Sequence, residues 1–171
     1  KTISQIIFPF LEKIGILWLT NHINPGQEHL VTNIIRQKLI VGIEMVRSSV
    51  QIDKTVLLFL PEGEYHEMSL LFINYMLKSK GVKTIYLGCS IPLRDVEYLV
   101  KLKKPDYLYT HLTTSGAKFN IDKFLEGLSK RVPDTRVIIS GLLTNTYEKK
   151  IPPPIHFKRS YAEVMEFISG L

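Results

Sequence analysis

Apolar side chains recur at helical spacing through the first part of the chain. Ile3, Ile6, Ile7, Phe10, Leu11, Ile14, Leu17 and Trp18 form one stripe, which predicts a helix over 2–18. Pro9 marks either its start or a kink, because proline is poorly tolerated in a helix interior. A polar loop follows, and Asn24-Pro25-Gly26-Gln27 then reads as a helix start: asparagine caps, proline takes the first helical position and glutamine sits three residues after the cap. The helix carries Leu30, Ile34, Leu39, Ile40, Ile43 and Met45 and fades near Arg47, leaving 48–54 as a linker. Beyond it the pattern changes to short apolar runs alternating with amphipathic stretches. Strands are predicted at 56–60, 84–87, 107–111, 136–140 and 155–157, and helices at 68–80, 93–102, 121–130 and 161–168. Such alternation indicates a parallel sheet covered on both faces. With right-handed crossovers, the expected architecture is α/β: a flavodoxin-like, doubly wound, parallel five-stranded sheet over 51–171, preceded by a helical segment over 1–50.

Composition adds little to this. The 171 residues are 45% hydrophobic and 22% charged, ordinary for a globular protein with a sizeable core. The net charge of +6 comes from basic residues in short, scattered groups, which read as solvated surface and not as one nucleic-acid-binding face. A single cysteine, Cys89, excludes an internal disulfide and a multi-cysteine metal site, and reads as a buried thiol just past a strand in a cytoplasmic protein. No apolar run approaches a membrane span, so no membrane partner is expected.

The glycine-rich dinucleotide and phosphate loops and the nucleophile elbow are missing from the sequence. Thr113-Thr114-Ser115-Gly116, after the third strand, is the loop richest in hydrogen-bonding side chains. Candidate chemistry lies in Leu60-Pro61-Glu62-Gly63-Glu64-Tyr65-His66-Glu67, after the first strand, where ligands of open α/β sheets bind. Residues two apart in an extended loop face the same way. Glu64 can therefore hold one ring nitrogen of His66 while the other reaches a metal, the usual support for a metal-binding imidazole. Glu62 and Glu67 make a charged surface turn an equal alternative. Trp18 ends the first helix, and Glu28 and His29 open the second. Each has an ordinary structural explanation, but together they put an indole, a carboxylate and an imidazole at one end of a helical pair.

The run Phe8–Trp18 followed by Gln27-Glu28-His29 resembles the helical cap of cobalamin-binding modules. Its Trp-x9-Glu-His spacing is similar to that of light-sensing, MerR-type transcriptional regulators that use adenosylcobalamin, and Glu64-x-His66 resembles their version of the Asp-x-His-x-x-Gly loop. The resemblance covers nearly the whole chain. It implies cobalamin, in its adenosyl form, as cofactor. His66 would be the lower axial ligand of cobalt in place of the cofactor's own benzimidazole, and Glu64 would bond the other imidazole nitrogen. Trp18, Glu28 and His29 would line the upper face. The displaced nucleotide tail would run between sheet and helices, past Thr113 and Ser115 after the third strand and Ser140 and Gly141 after the fourth. It further implies a sensor and not an enzyme, a homo-oligomer whose assembly follows the ligand state, a cap that is normally a four-helix bundle, and DNA contact only through a domain upstream of this chain.

The chain departs from the family at several positions. Ser69 stands at the glycine of the first motif, His111 at the serine of Ser-x-Leu, and Ser140 at one glycine of Gly-Gly, each adding a side chain where the tail would run. Leu19 follows Trp18, leaving His22 as the nearest upper-side imidazole. Two other readings therefore accompany the sensor: a module that keeps the fold without the cofactor and serves in protein interaction or senses another ligand, and a corrinoid carrier subunit of a methyltransferase sharing His66.

Overall fold

The computed structural model describes residues 24–113 and 119–171. The helix predicted over 2–18, with Trp18, Leu19 and His22, and the loop residue Ser115 lie outside them. The chain divides into two compact units, Lys1–Glu44 and Met45–Leu171. In the first, helix α1 (Pro25–Met45) begins as its sequence predicts. The Asn24 backbone N–H donates to Gln27 Oε1 at 3.0 Å and the Gln27 N–H to Asn24 Oδ1 at 2.9 Å, a reciprocal cap that satisfies two otherwise orphaned donors. Leu39 and Ile43 are buried, whereas Leu30, Ile34, Val41 and Met45 are exposed.

The second unit alternates strand and helix: β1 (Ile52–Pro61), α2 (Glu67–Lys80), β2 (Val82–Ile91), α3 (Leu93–Lys103), β3 (Tyr107–His111), α4 (Ile121–Arg131), β4 (Arg136–Ser140), α5 (Leu142–Asn145), β5 (Ile155–Lys158) and α6 (Tyr161–Ser169). All neighbouring strands pair in parallel, in the order β2-β1-β3-β4-β5. This is the flavodoxin-like, doubly wound sheet expected from the sequence. One face carries Leu57 and Phe59 of β1, Leu108 of β3 and Val137 and Ile139 of β4, buried with Val96 and Val100 of α3 and Phe124, Leu125 and Leu128 of α4. On the other face Tyr107 and Tyr109 meet Phe167 of α6, and Phe72 of α2 stacks on Tyr161 of α6. The continuous apolar run 56–60 is fully buried because both faces of β1 are covered.

Hydrophobic pattern alone misplaced three features. β1 starts at Ile52, inside the predicted linker, and β2 runs on to Ile91. The early turn of β1 is held by charge: Lys54 Nζ donates to Asp106 Oδ1 at 2.9 Å and the Thr55 N–H to Asp106 Oδ2 at 2.8 Å, a link between residues far apart in sequence. Cys89, expected as a buried thiol beyond the strand, lies within β2 and is half-buried. The short α5 follows Gly141, whose carbonyl accepts from both the Thr144 N–H and Thr144 Oγ1.

Helix α2 ends at Gly81, which takes a left-handed φ of 92° and donates its N–H to the carbonyls of Leu77 and Lys78. A Cβ there would lie 1.9 Å from the Val50 carbonyl oxygen, so this turn needs glycine for space as well as for dihedral angle. Gly63 also has positive φ, but nothing lies within 4 Å of an added Cβ. We therefore expect Gly81→Ala to lower stability by about 2 kcal/mol or more, and Gly63→Ala by only about 1 kcal/mol. Urea unfolding of the two variants checks the ranking; equal losses would contradict it.

Candidate functional site at the carboxyl edge of the sheet

The chain leaves β1 toward β2 on one side and reaches β3 on the other, so strand order reverses between β1 and β3. Helices that diverge to opposite faces open a crevice at the carboxyl ends of these two strands. The Glu62–His66 loop follows β1 and Thr113 follows β3, so both border this crevice. The Glu64 N–H donates to the Pro61 carbonyl, the Ser90 N–H donates to the Glu64 carbonyl at 3.2 Å, and the Gly63 N–H donates to Ser90 Oγ at 3.2 Å. These bonds tie the loop to the end of β2.

Glu64 is only 3% exposed, yet it is a carboxylate. Burying such a group is costly unless donors surround it. The donors include the His66 N–H at 3.0 Å and His66 Nδ1 at 2.6 Å, both on Oε1, and the Thr113 N–H at 3.0 Å on Oε2. Hydrogen bonds to an ionised acceptor are about twice as strong as neutral ones, so this carboxylate fastens the β1 and β3 loops to each other. It also fixes the imidazole. Nδ1 carries its hydrogen toward Glu64, leaving Nε2 as the nitrogen with a lone pair for a metal. His66 stands at the cap position of α2 with its side chain 56% exposed. Beside it, Tyr86 donates to Glu67 Oε1 at 2.9 Å.

A second polar group lies at the ends of β3 and β4. His111 and Ser140 are register partners, and His111 Nδ1 is 2.8 Å from Ser140 Oγ. Tyr109, fully buried on the same face, places its hydroxyl 2.6 Å from the same Oγ. The serine hydroxyl relays between phenol and imidazole, and the proton order can run either way. Burial pushes the Tyr109 phenol well up from its ordinary value, against the Ser140 hydrogen bond, which lowers it. Burial likewise holds the His111 imidazole down at about 4; the Glu64 carboxylate opposes this and His66 adds to it. At neutral pH His111 is therefore uncharged.

The structure thus brings Glu64, His66 and Thr113 together, and Ser140 with His111. Thr113 contributes its backbone N–H, and its Oγ1 is buried without a partner. Gly141 has a φ of 104°, and a Cβ there would lie 2.3 Å from the Leu112 carbonyl oxygen, so its glycine character already serves close backbone packing. Glu28 and His29 sit in the first turn of α1, in the other compact unit. Glu28 accepts from Thr32 Oγ1 at 2.7 Å and pairs with His29 Nδ1 at 3.1 Å, and the His29 side chain is 74% exposed. Sequence reasoning missed the Thr113 amide and Tyr109. A backbone donor leaves no trace in residue type, and a tyrosine in an apolar strand reads as core.

No family model matches the chain. It is 27% identical over 133 residues, 78% of its length, to the HTH-type transcriptional repressor CarH of Myxococcus xanthus, and 25% identical over 145 residues to the repressor CarA of the same organism. These matches take in 44% and 48% of the repressors, so the chain spans about half the length of the curated relatives it matches. The likeness to such regulators read from the sequence is borne out by both. The monomethylamine corrinoid protein of Methanosarcina barkeri superposes with a TM-score of 0.66 over 94% of this chain and 78% of that one, at 13% identity. The methanol:cobalamin methyltransferase complex MtaBC from the same organism reaches 0.55, also at 13% identity, over 99% and 67%. Both share the fold.

The depressed His111 value makes stability depend on pH. Between pH 6.5 and about 4 the unfolded imidazole takes up a proton that the folded one refuses, so the unfolded state binds more protons and stability falls as pH falls. The slope from this group approaches about 1.4 kcal/mol per pH unit. The paired carboxylates Asp106 and Asp122, both held below their usual range by hydrogen bonds, act in the same direction but are present in any His111 variant. We expect the drop in urea midpoint between about pH 7 and about pH 4.5 to be smaller in His111→Asn than in the parent. Equal drops would contradict the buried neutral imidazole.

Proposed function

We propose that this chain is the corrinoid-holding sensor part of a transcriptional regulator, and that His66 is the axial ligand of the cobalt. The observation that carries the reading is the exposed His66 imidazole whose Nδ1 is fixed by a buried carboxylate. That arrangement orients Nε2 as a metal ligand and raises its basicity. Among the described residues no group of three or more His, Cys, Asp or Glu side chains gathers around a metal position. One imidazole holds a bare ion poorly, but it suits a metal that brings its own equatorial ligands, as cobalt does in a corrin ring. The buried Thr113 Oγ1 that lacks a partner, beside the same loop, supports a ligand there with polar edges. When bound, the corrinoid supplies a cobalt centre with an exchangeable upper group; the protein residues hold and orient it.

Likeness to two repressors favours a regulator over a methyl carrier. In this reading the chain is not itself an enzyme, assembles as a homo-oligomer in the cytoplasm and reaches DNA through an attached domain. Trp18, Glu28 and His29 enter as upper-face residues on the family resemblance. A ligand changes assembly only if one assembly state binds it better. For an adenosylated corrinoid, green light would remove the upper group and so shift that balance.

Two measurements test this. Protein incubated with hydroxocobalamin or aquacobinamide and then desalted is expected to retain at least one of them, with a spectrum shifted from the free corrinoid. His66→Ala should abolish the shift, and Glu64→Gln should weaken binding about 10- to 100-fold. Loss of both corrinoids on desalting would overturn the reading. If light is the signal, size-exclusion chromatography of the adenosyl-loaded protein should show different assemblies before and after green light; an unchanged profile would remove light from the account.

A further inference from the structure

The corrinoid reading leaves open where a lower nucleotide would go. On the family resemblance such a tail would run between the sheet and its helices, past the ends of β3 and β4, and on the Tyr109 face those helices are α2 and α6. Protein fills that space. Tyr109 is fully buried against Phe167 of α6, with ring centroids 6.4 Å apart, and Phe72 of α2 stacks on Tyr161 of α6 at 6.4 Å. At the mouth, His111 and Ser140 are bonded at 2.8 Å, and Tyr109 bonds Ser140 from below at 2.6 Å. The backbone behind this bridge is closed too: the Leu112 N–H donates to the Ser140 carbonyl at 2.8 Å and the Leu143 N–H to the Leu112 carbonyl at 3.2 Å, and Gly141 lies so close to Leu112 that not even a methyl group fits between them.

We propose that the site at His66 takes a corrinoid that lacks the lower nucleotide in preference to one that carries it, with the His111–Ser140–Tyr109 bridge acting as the plug that selects against an inserted tail. Admitting a base would break one buried hydrogen bond, Tyr109 to Ser140, and one part-buried one, His111 to Ser140. It would strand the Tyr109 hydroxyl without a partner and displace the buried rings of Tyr109 and Phe72 from their contacts with Phe167 and the half-exposed Tyr161. Cobalamin carries a further handicap. Its own benzimidazole competes with His66 for the cobalt from within the same molecule, at high effective concentration. A protein with a slot offsets that by binding the displaced base; here the slot is occupied. A ring without the nucleotide has no internal competitor and asks nothing of the plug. The structure thus fits the metal end of the cofactor and not its tail.

This proposal rests on His66 as cobalt ligand, and the test separates the two. The full chain is titrated in parallel with aquacobinamide, which lacks the nucleotide, and with hydroxocobalamin, following the absorption spectrum. We expect aquacobinamide to bind about 10- to 100-fold more tightly, the factor that the two hydrogen bonds of the bridge represent, with His66→Ala losing the spectral shift. The pair His111→Ser and Ser140→Gly should raise hydroxocobalamin affinity by a similar factor. The ratio in the parent protein decides even if the double variant does not fold. Hydroxocobalamin binding as tightly as aquacobinamide, or more tightly, overturns the plug and leaves His66 standing. Failure of both corrinoids to bind overturns the axial-ligand reading, and the plug with it.

Discussion

A buried carboxylate holds the candidate site together. Glu64 accepts two hydrogen bonds from His66 and one from the Thr113 backbone, and so joins the loop after β1 to the loop after β3 across the point where strand order reverses. Removing any of those donors would leave the buried carboxylate less well compensated in a place that water barely reaches, and that penalty makes the arrangement rigid. Rigidity has a chemical use. An imidazole on an exposed loop ordinarily samples several rotamers, whereas this one is fixed in direction and tautomer by a single short bond. The sheet supplies position, the carboxylate supplies orientation, and the exposed side of the ring is where a ligand can be met.

The neighbouring strands show the opposite treatment of polarity. His111, Ser140 and Tyr109 turn their polar atoms toward one another and stay largely within the protein. Burial keeps His111 neutral where His66 stands in solvent. Two histidines at the carboxyl ends of neighbouring strands thus differ, one presented outward and one bonded to Ser140 across the sheet edge. This contrast separates the corrinoid's cobalt end from its nucleotide end in the proposed binding mode.

Much of the fold was legible in the chain. Strands β3 and β4 are bounded as the apolar runs predict, because both faces of each are covered; the one polar residue inside β3, Thr110, is buried with its neighbours. The Asn24–Gln27 cap could be read directly, since it is local and both acceptors are side chains at a fixed spacing. What escaped was non-local or carried by the backbone. The start of β1 at Ile52 depends on pairing with Val82 and Gly81 at the start of β2, and the second anchor of Glu64 is an amide N–H that any residue at 113 would supply except proline. The Glu-x-His loop was visible as a candidate, but its decisive property, that Glu64 is buried while His66 is not, depends on where β3 lies. His111 and Ser140 were visible as added bulk at positions where the regulator family has small residues; that they bond to each other is visible only with β3 and β4 side by side.

The central claim, that a Glu64-oriented His66 binds cobalt, is tested most directly by electron paramagnetic resonance of the protein loaded with cobalt(II) cobinamide, which has no nucleotide base of its own to coordinate the metal. Coordination by one protein imidazole predicts a nitrogen triplet on the cobalt lines that becomes a doublet when the protein is grown with nitrogen-15 histidine, and that is lost in His66→Ala. A spectrum without nitrogen splitting, or one indifferent to the label, would contradict the account.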